Sequence, residues 1–204
     1  LAAYFSETDF PGIQLSEGRK EQILKAASRL FHKRGYAATT MRLLAAEMNI
    51  EAASLYNHIA SKQDILRELL FEMAAIFTSE MKRVEASGLS PLQKLEKLIL
   101  LHIYLAYSQP DALALIVGEW VHLEEPALQQ FIKLRNEYEL GFKAVLNEGI
   151  VLGQFKQTEP ETALFTLLST LHALPNWLER HKNFDPEKLS SDLLQNLLFG
   201  LVKP

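Results

Sequence analysis

The chain of 204 residues contains no cysteine. Disulfides, thiolate zinc sites and a cysteine nucleophile are thereby excluded. It also has no stretch of about eighteen uninterrupted apolar residues. The opening LAAYFSETDFPGIQLSEGRK lacks the basic-then-apolar order of an export signal. Neither secretion nor a membrane span is expected, and the cytoplasm is the expected compartment. HExxH, G-x-S-x-G and P-loop motifs are missing, and no run alternates with the period of a strand. Glycine and proline number only 9 and 8, scattered as punctuation rather than gathered into a linker. What is abundant is apolar: 48% hydrophobic against 23% charged residues is the mixture of a folded chain, not a disordered one.

The net charge of -4 argues against nucleic acid only while it is averaged. Between positions 19 and 67 stand nine basic residues, Arg19, Lys20, Lys25, Arg29, Lys33, Arg34, Arg42, Lys62 and Arg67. Four acids, Glu21, Glu47, Glu51 and Asp64, face them, an excess of five positive charges. The acidic excess lies in residues 1–18 and 68–204. A basic module on an acidic body is the asymmetry expected when one part of a protein meets phosphate.

Apolar residues at three- and four-residue spacing, Ile23, Leu24, Ala27, Leu30 and Phe31, predict an amphipathic helix over 17–34 that stops at Gly35. Thr39 and Thr40 offer N-cap oxygens to a short second helix carrying Met41, Leu44, Ala45 and Met48. Asn49 tolerates a left-handed turn, and EAASLYNHI supplies a third short helix. Three short helices with a tight turn before the last form a helix-turn-helix. A long fourth helix starts from Ser61. Helices over about 90–108, 111–123, 125–152, 160–182 and 186–201 follow, with Pro175 expected to kink the penultimate one or end it near Leu174. The predicted fold is all-α, with a tail over 1–16, an N-terminal three-helix DNA-binding domain over 17–62 and a C-terminal helical ligand-binding and dimerisation domain over 63–204.

The segment ILKAASRLFHKRGYAATTMRLLAAEMNIEAASLYNHIASKQDIL, residues 23–66, resembles the DNA-binding signature of the TetR/AcrR family of transcriptional regulators. The match runs without a gap through Ile23-Leu24, Ala26-Ala27, Leu30-Phe31, Gly35-Tyr36, Thr39-Thr40, Ala45, Leu55-Tyr56, His58 and Ser61-Lys62. The resemblance implies a homodimer bound to double-stranded operator DNA, with a small-molecule effector and no cofactor. It makes Lys62 a phosphate contact. The side-chain chemistry is compatible: Thr39, Thr40 and Arg42 can hold a phosphate, while Ala52, Ala53, Ser54, Tyr56, Asn57 and His58 fall on or near the reading helix. Ser54 and Asn57 suit base edges. Tyr56 and His58 suit the backbone, although Tyr36 and Tyr56 can equally pack inward. Glu51 stands where a serine or threonine usually caps the reading helix, and a carboxylate there repels phosphate.

For the body, Leu164, Leu168, Leu171, Leu194, Leu197 and Leu201 on the last two helices are the candidate dimer surface. Phe77, Ile103, Tyr107, Trp120, Phe142 and Trp177, with the polar groups His102, His122 and His172, are candidates for an apolar effector site, although any one of them also suits a plain core. The segment STLHALPNWLERHKNFDPEKLSSDLLQNLLFGL resembles the C-terminal pattern of family members that answer to fatty acyl or other lipid-derived ligands. Two rival readings remain: an activator rather than a repressor, and a helical interaction protein without DNA function. An enzyme is disfavoured. Glu119 and His122 have the Glu-x-x-His spacing of a di-iron site, but a second such pair is absent.

Overall fold

The computed structural model of the protein describes residues 18–181 and 183–202. Among them are nine α-helices and one 3₁₀ turn. The helices are α1 (Arg19–Arg34), α2 (Met41–Glu47), α3 (Ala52–Tyr56), α4 (Lys62–Glu85), α5 (Pro91–Ser108), α6 (Pro110–Gly118), α7 (Ala127–Val151), α8 (Pro160–Arg180) and α9 (Pro186–Phe199). The 3₁₀ turn, Glu119–His122, stands between α6 and α7, where the sequence predicts the helix to run on to 123. Apart from an isolated bridge between Phe155 and Val202, the described residues contain no extended pairing, as expected of an all-α chain. The tail over 1–16 and the expected helix start at 17 lie outside the described residues.

The predicted boundaries rest on local chemistry. Gly35 ends α1 at φ 83°, a left-handed conformation that a β-carbon would strain, and its N–H donates to the Phe31 carbonyl. Thr40 caps α2, its hydroxyl accepting from the Leu43 N–H at 3.2 Å. Asn49 adopts φ 53° after α2, with its N–H bonded to the Ala46 carbonyl and that of Ile50 to Ala45. Ser61 accepts from the Asp64 N–H at 3.0 Å to open α4. Helix α8 does not stop near Leu174. Pro175 withholds an N–H from the ladder, but Leu171, Leu174 and Pro175 are all buried, and that packing carries the helix on to Arg180.

Two compact units divide the described residues: one comprises 18–76 with 111–134, the other 77–110 with 135–202. This departs from a boundary at 62. Leu115 of α6, Leu123 after the 3₁₀ turn and Phe131 of α7 join the same apolar cluster as Leu30, Phe31, Leu44, Leu55, Ile59 and Leu66. Burial of such side chains contributes about 25 cal/mol per Å². The segment 111–134 is therefore part of the helix-turn-helix core. Helices α4 and α7 each supply residues to both units.

In the second unit α5 packs on α8 and α9, with Leu95, Leu98, Ile99 and Leu105 fully buried. The Lys94 ammonium donates to Glu148 at 2.8 Å. Gly149 on α7 lies directly against the buried ring of Phe155, so a β-carbon at 149 would overlap it. Gly149→Ala is expected to destabilise by about 1 kcal/mol on balance, because overpacking of roughly 1–3 kcal/mol exceeds the roughly 1 kcal/mol of added helix propensity. Urea denaturation checks this; an unchanged or raised midpoint would mean that Phe155 turns aside freely.

Candidate functional site

Leu55 is fully buried and Ile59 nearly so, and together they anchor one side of α3 and the turn after it. The opposite side is consequently outward: Ala53, Ser54, Tyr56, Asn57 and His58 are all exposed, and Ala52 is half-buried. Tyr56, at 53% exposure, faces solvent rather than the core. The left-handed Asn49 makes this possible by turning the chain within the four residues separating α2 from α3. Thr40 and Arg42 are exposed at the start of α2, where a side chain positioning the module on a phosphate has to be. Glu51 is exposed at the N-cap of α3 without capping it by a side-chain bond.

Two of the expected contact residues are engaged within the fold. Thr39 is buried, its hydroxyl donating to the Gly35 carbonyl at 3.0 Å, so its side chain closes the α1–α2 turn. The Lys62 ammonium donates to the carbonyls of Tyr36 at 2.9 Å and Thr39 at 2.8 Å and sits 4.1 Å from the centre of the Tyr36 ring. It is a clamp on the same turn. Sequence position could not separate a lysine beside phosphate from one turned back onto carbonyls, because a four-carbon stem reaches both.

A second network in this unit was not foreseen as such. His32 and Asp111 meet at 2.8 Å, the Tyr36 N–H donates to Glu119 at 3.3 Å, and the Gln63 amide donates to the His122 carbonyl at 2.7 Å. His122 stacks on Tyr36 and Trp120 on Phe131. Trp120 and His122 thus serve the helix-turn-helix unit and do not belong with the other effector candidates. Glu119 and His122, 3.4 Å apart, share in this docking, and among the described residues no group of three or more acidic or histidine side chains is placed to hold a metal.

Comparison with known proteins accords with this geometry. Residues 23–69 match the family described as bacterial regulatory proteins, tetR family, and residues 88–201 match the tetracyclin repressor-like C-terminal domain. The chain belongs to the TetR family. Members are DNA-binding regulators and not enzymes. The transcriptional repressor KstR2 of Rhodococcus jostii is 27% identical over 189 residues, spanning 92% of this chain and 93% of the relative. The structure of the ketosteroid regulator KstR2 of Mycobacterium tuberculosis superposes with a TM-score of 0.86 at 22% identity, covering 93% of this chain and 97% of that one. AibR, solved with isovaleryl coenzyme A and operator DNA, gives 0.75 at 20% identity, covering 87% and 97%.

The second unit of this TetR-family chain holds the remaining effector candidates. The Phe77 and His102 rings lie 4.5 Å apart, and Tyr138, Phe142 and His172 surround His102 at 6.0, 6.3 and 5.7 Å. His102 and Tyr138 are the polar centre of this group. His102 is a polar candidate from sequence; Tyr138 is not, although it stands one helical turn from Phe142. Ile103 is buried and Tyr107 half-buried on α5, and the Tyr107 hydroxyl lacks a hydrogen-bond partner. Trp177 stacks on His181 at 4.3 Å and packs against Phe184 at 4.9 Å. A groove of about 490 Å³ runs between α7 and α8, with His172, Leu164, Leu168 and Phe165 among its lining.

The expected dimer surface needs correction. Leu164, Leu168 and Leu171 are buried within their own chain, and so is Leu201; Leu194 and Leu197 are half-buried. The apolar stripe of α8 is its core stripe. Phe165 (72%) and Phe199 (83%) are the large apolar side chains that α8 and α9 leave exposed.

Loss of its ammonium in Lys62→Met should cost about 1.5–3 kcal/mol of stability, since two carbonyls lose a charged donor. Thermal unfolding measures it; operator affinity lost at unchanged stability would instead make Lys62 a phosphate contact. Burial holds the His172 imidazole down at about 4, with nearby Arg135 acting in the same direction and Glu139 opposing, and it holds His102 well below the ordinary range. Both are uncharged when folded, so the unfolded chain binds more protons between roughly pH 6.5 and 4 and stability falls as pH drops through that window. In His172→Phe the slope of unfolding free energy against pH over this window should be shallower; an identical slope would show that His172 is charged in the fold.

Proposed function

We propose that this chain is a transcriptional repressor that holds a palindromic operator as a homodimer and is released from it by a small apolar or amphipathic ligand of lipid-derived character. The observation that carries the DNA half of this reading is the outward face of α3, where Ser54, Tyr56, Asn57 and His58 stand exposed over the buried anchor Leu55. An exposed helix with short polar side chains is what a major groove admits. A two-fold dimer presents two such helices and accordingly prefers a near-palindromic site. The exposed Phe165 and Phe199, with half-buried Leu194 and Leu197, supply apolar surface for the partner on α8 and α9.

Support for the ligand half comes from the aromatic cluster around His102 and from the relatives: KstR2 is named a ketosteroid regulator, and AibR was solved with isovaleryl coenzyme A. Helix α4 carries Lys62 at one end and Phe77, against His102, about four turns along. A ligand that repacks Phe77 therefore acts on the same hydrogen-bonded rod that closes the α1–α2 turn. It shifts operator affinity only if it binds the two states unequally. The cytoplasm is the compartment in which such a protein meets its operator.

Selection of genomic fragments by the purified protein, sequenced at several salt concentrations, tests the reading. The expected product is a near-palindrome with steep salt dependence. Arg42→Ala should reduce the salt slope by about one charge at every sequence, and Asn57→Ala should relax base preference instead. Recovery of no common sequence by folded dimer would overturn operator binding.

A further inference from the structure

No acidic residue occurs between Gln22 and Ala46, a stretch that holds Lys25, Arg29, Lys33, Arg34 and Arg42. Three of these cations, Lys25, Arg29 and Lys33, recur every four residues on α1. Each step of four turns the helix by about 40° and advances it by about 6 Å, so they form one stripe about 12 Å long. All three are exposed, whereas the neighbouring Leu24, Ala26, Leu30 and Phe31 are buried. The stripe is therefore the outward face of α1.

This face is bare of counter-charge. The acids that α4 and α6 bring to the helix are engaged beside it: Glu68 pairs with Lys20, and Asp111 with His32 at 2.8 Å. Among the described residues no acid forms an ion pair with Lys25, Arg29 or Lys33. Cations of the other unit are held differently, Lys94 by Glu148, Lys143 by Glu161 and Lys188 by Asp192. Like charges at four-residue spacing repel one another and weaken a helix. A cation in the last turn offsets the helix dipole, which accounts for Lys33 but not for Lys25 and Arg29 in the middle of α1.

The stripe also continues into the residues suited to phosphate. Helix α1 packs on α2 and α2 on α3. At its C-terminal end the stripe leads to the exposed Arg34, and the turn over 35–40 then brings the chain to Thr40 and Arg42, exposed at the start of α2. Cations continuous with a phosphate-positioning pair suit the same duplex further along its backbone. Over about 12 Å one strand presents three or four phosphates, at about 3.4 Å of axis each.

We propose that the Lys25–Arg29–Lys33 face of α1 is a second, sequence-independent phosphate surface, which holds the duplex backbone flanking the groove that α3 reads. The assignment rests on the reading of the chain as an operator-binding repressor and adds a contact outside α2 and α3.

Fluorescence anisotropy of the full-length protein with a mixed-sequence duplex of about 40 base pairs, at salt concentrations between about 50 and 200 mM, tests this. In Lys25→Gln/Arg29→Gln/Lys33→Gln the slope of log affinity against log salt should be shallower by about 2.7 for each protomer engaged. The loss of affinity across that salt range should then be about fortyfold smaller than in the unaltered chain. Lys25→Arg/Lys33→Arg keeps the charge and should keep the slope. Lys82→Gln/Arg180→Gln/Lys188→Gln removes as much exposed charge from the other unit and should also keep it. On a common sequence recovered by fragment selection, hydroxyl-radical cleavage should show the outermost sugar protections lost in the triple α1 variant while base preference persists.

An unchanged slope in the triple α1 variant, an equal fall in the control variant, or outer protections that stay would overturn the proposal. An unchanged slope with a smaller sedimenting mass would overturn it by giving the stripe to the acidic body of a second copy. A slope that falls as expected while no common sequence is recovered would sustain the phosphate surface and remove operator reading. A common sequence bound with the same slope by the triple α1 variant would leave operator reading and remove this surface.

Discussion

The Lys62 ammonium, set against the carbonyls of Tyr36 and Thr39 and over the Tyr36 ring, is the contact on which the DNA-binding unit depends. The turn between α1 and α2 has to leave carbonyls without helical partners, and buried carbonyls need a donor. A cation satisfies two at once, and because Lys62 opens α4, it ties the turn to the start of that helix. Gly35 and Thr39 shape the turn, and Thr40, on its outer edge, caps α2. The placement of α3 follows from α2 through Asn49. One ammonium thus holds, through two backbone carbonyls, the turn from which α2 and α3 follow.

The same unit recruits α6, the 3₁₀ turn and the beginning of α7, which a division of the chain by sequence order would assign to the body. Apolar burial by Leu115, Leu123 and Phe131 makes them part of the core, and the polar contacts of Asp111, Glu119 and the His122 carbonyl orient them. The other unit is organised about the opposite problem: polar groups held inside an apolar bundle. His102, Tyr138 and His172 are kept uncharged by burial.

Much of the helical architecture was legible in the sequence because its determinants are local. The stop at Gly35, the caps at Thr40 and Ser61 and the left-handed Asn49 all act within a few residues of where they stand. Pro175 shows the limit: the local rule places a stop beside it, while the burial of Leu171, Leu174 and Pro175 continues the helix. On α8 the three-to-four spacing of Leu164, Leu168 and Leu171 is equally consistent with a core stripe and a subunit interface, and only the packing of α5 against α8 decides for the core. The outward α3 residues were legible because buried Leu55 and Ile59 dictate the opposite face. Trp120 and His122 were misassigned because an aromatic side chain near the middle of the chain carries no mark of which core it joins.

The sequence by itself determined the all-α class, the helix-turn-helix and the exposed side of its third helix, since hydrophobic period, caps and turn residues are encoded over a few positions. Tertiary structure alone decided that the Lys62 ammonium serves a turn, that 111–134 belongs with the DNA-binding core, and that His102, Tyr138 and His172 meet. These depend on contacts between residues some tens of positions apart. Hydrophobic burial brings such residues together without regard to their spacing in the chain, so no local pattern records the result.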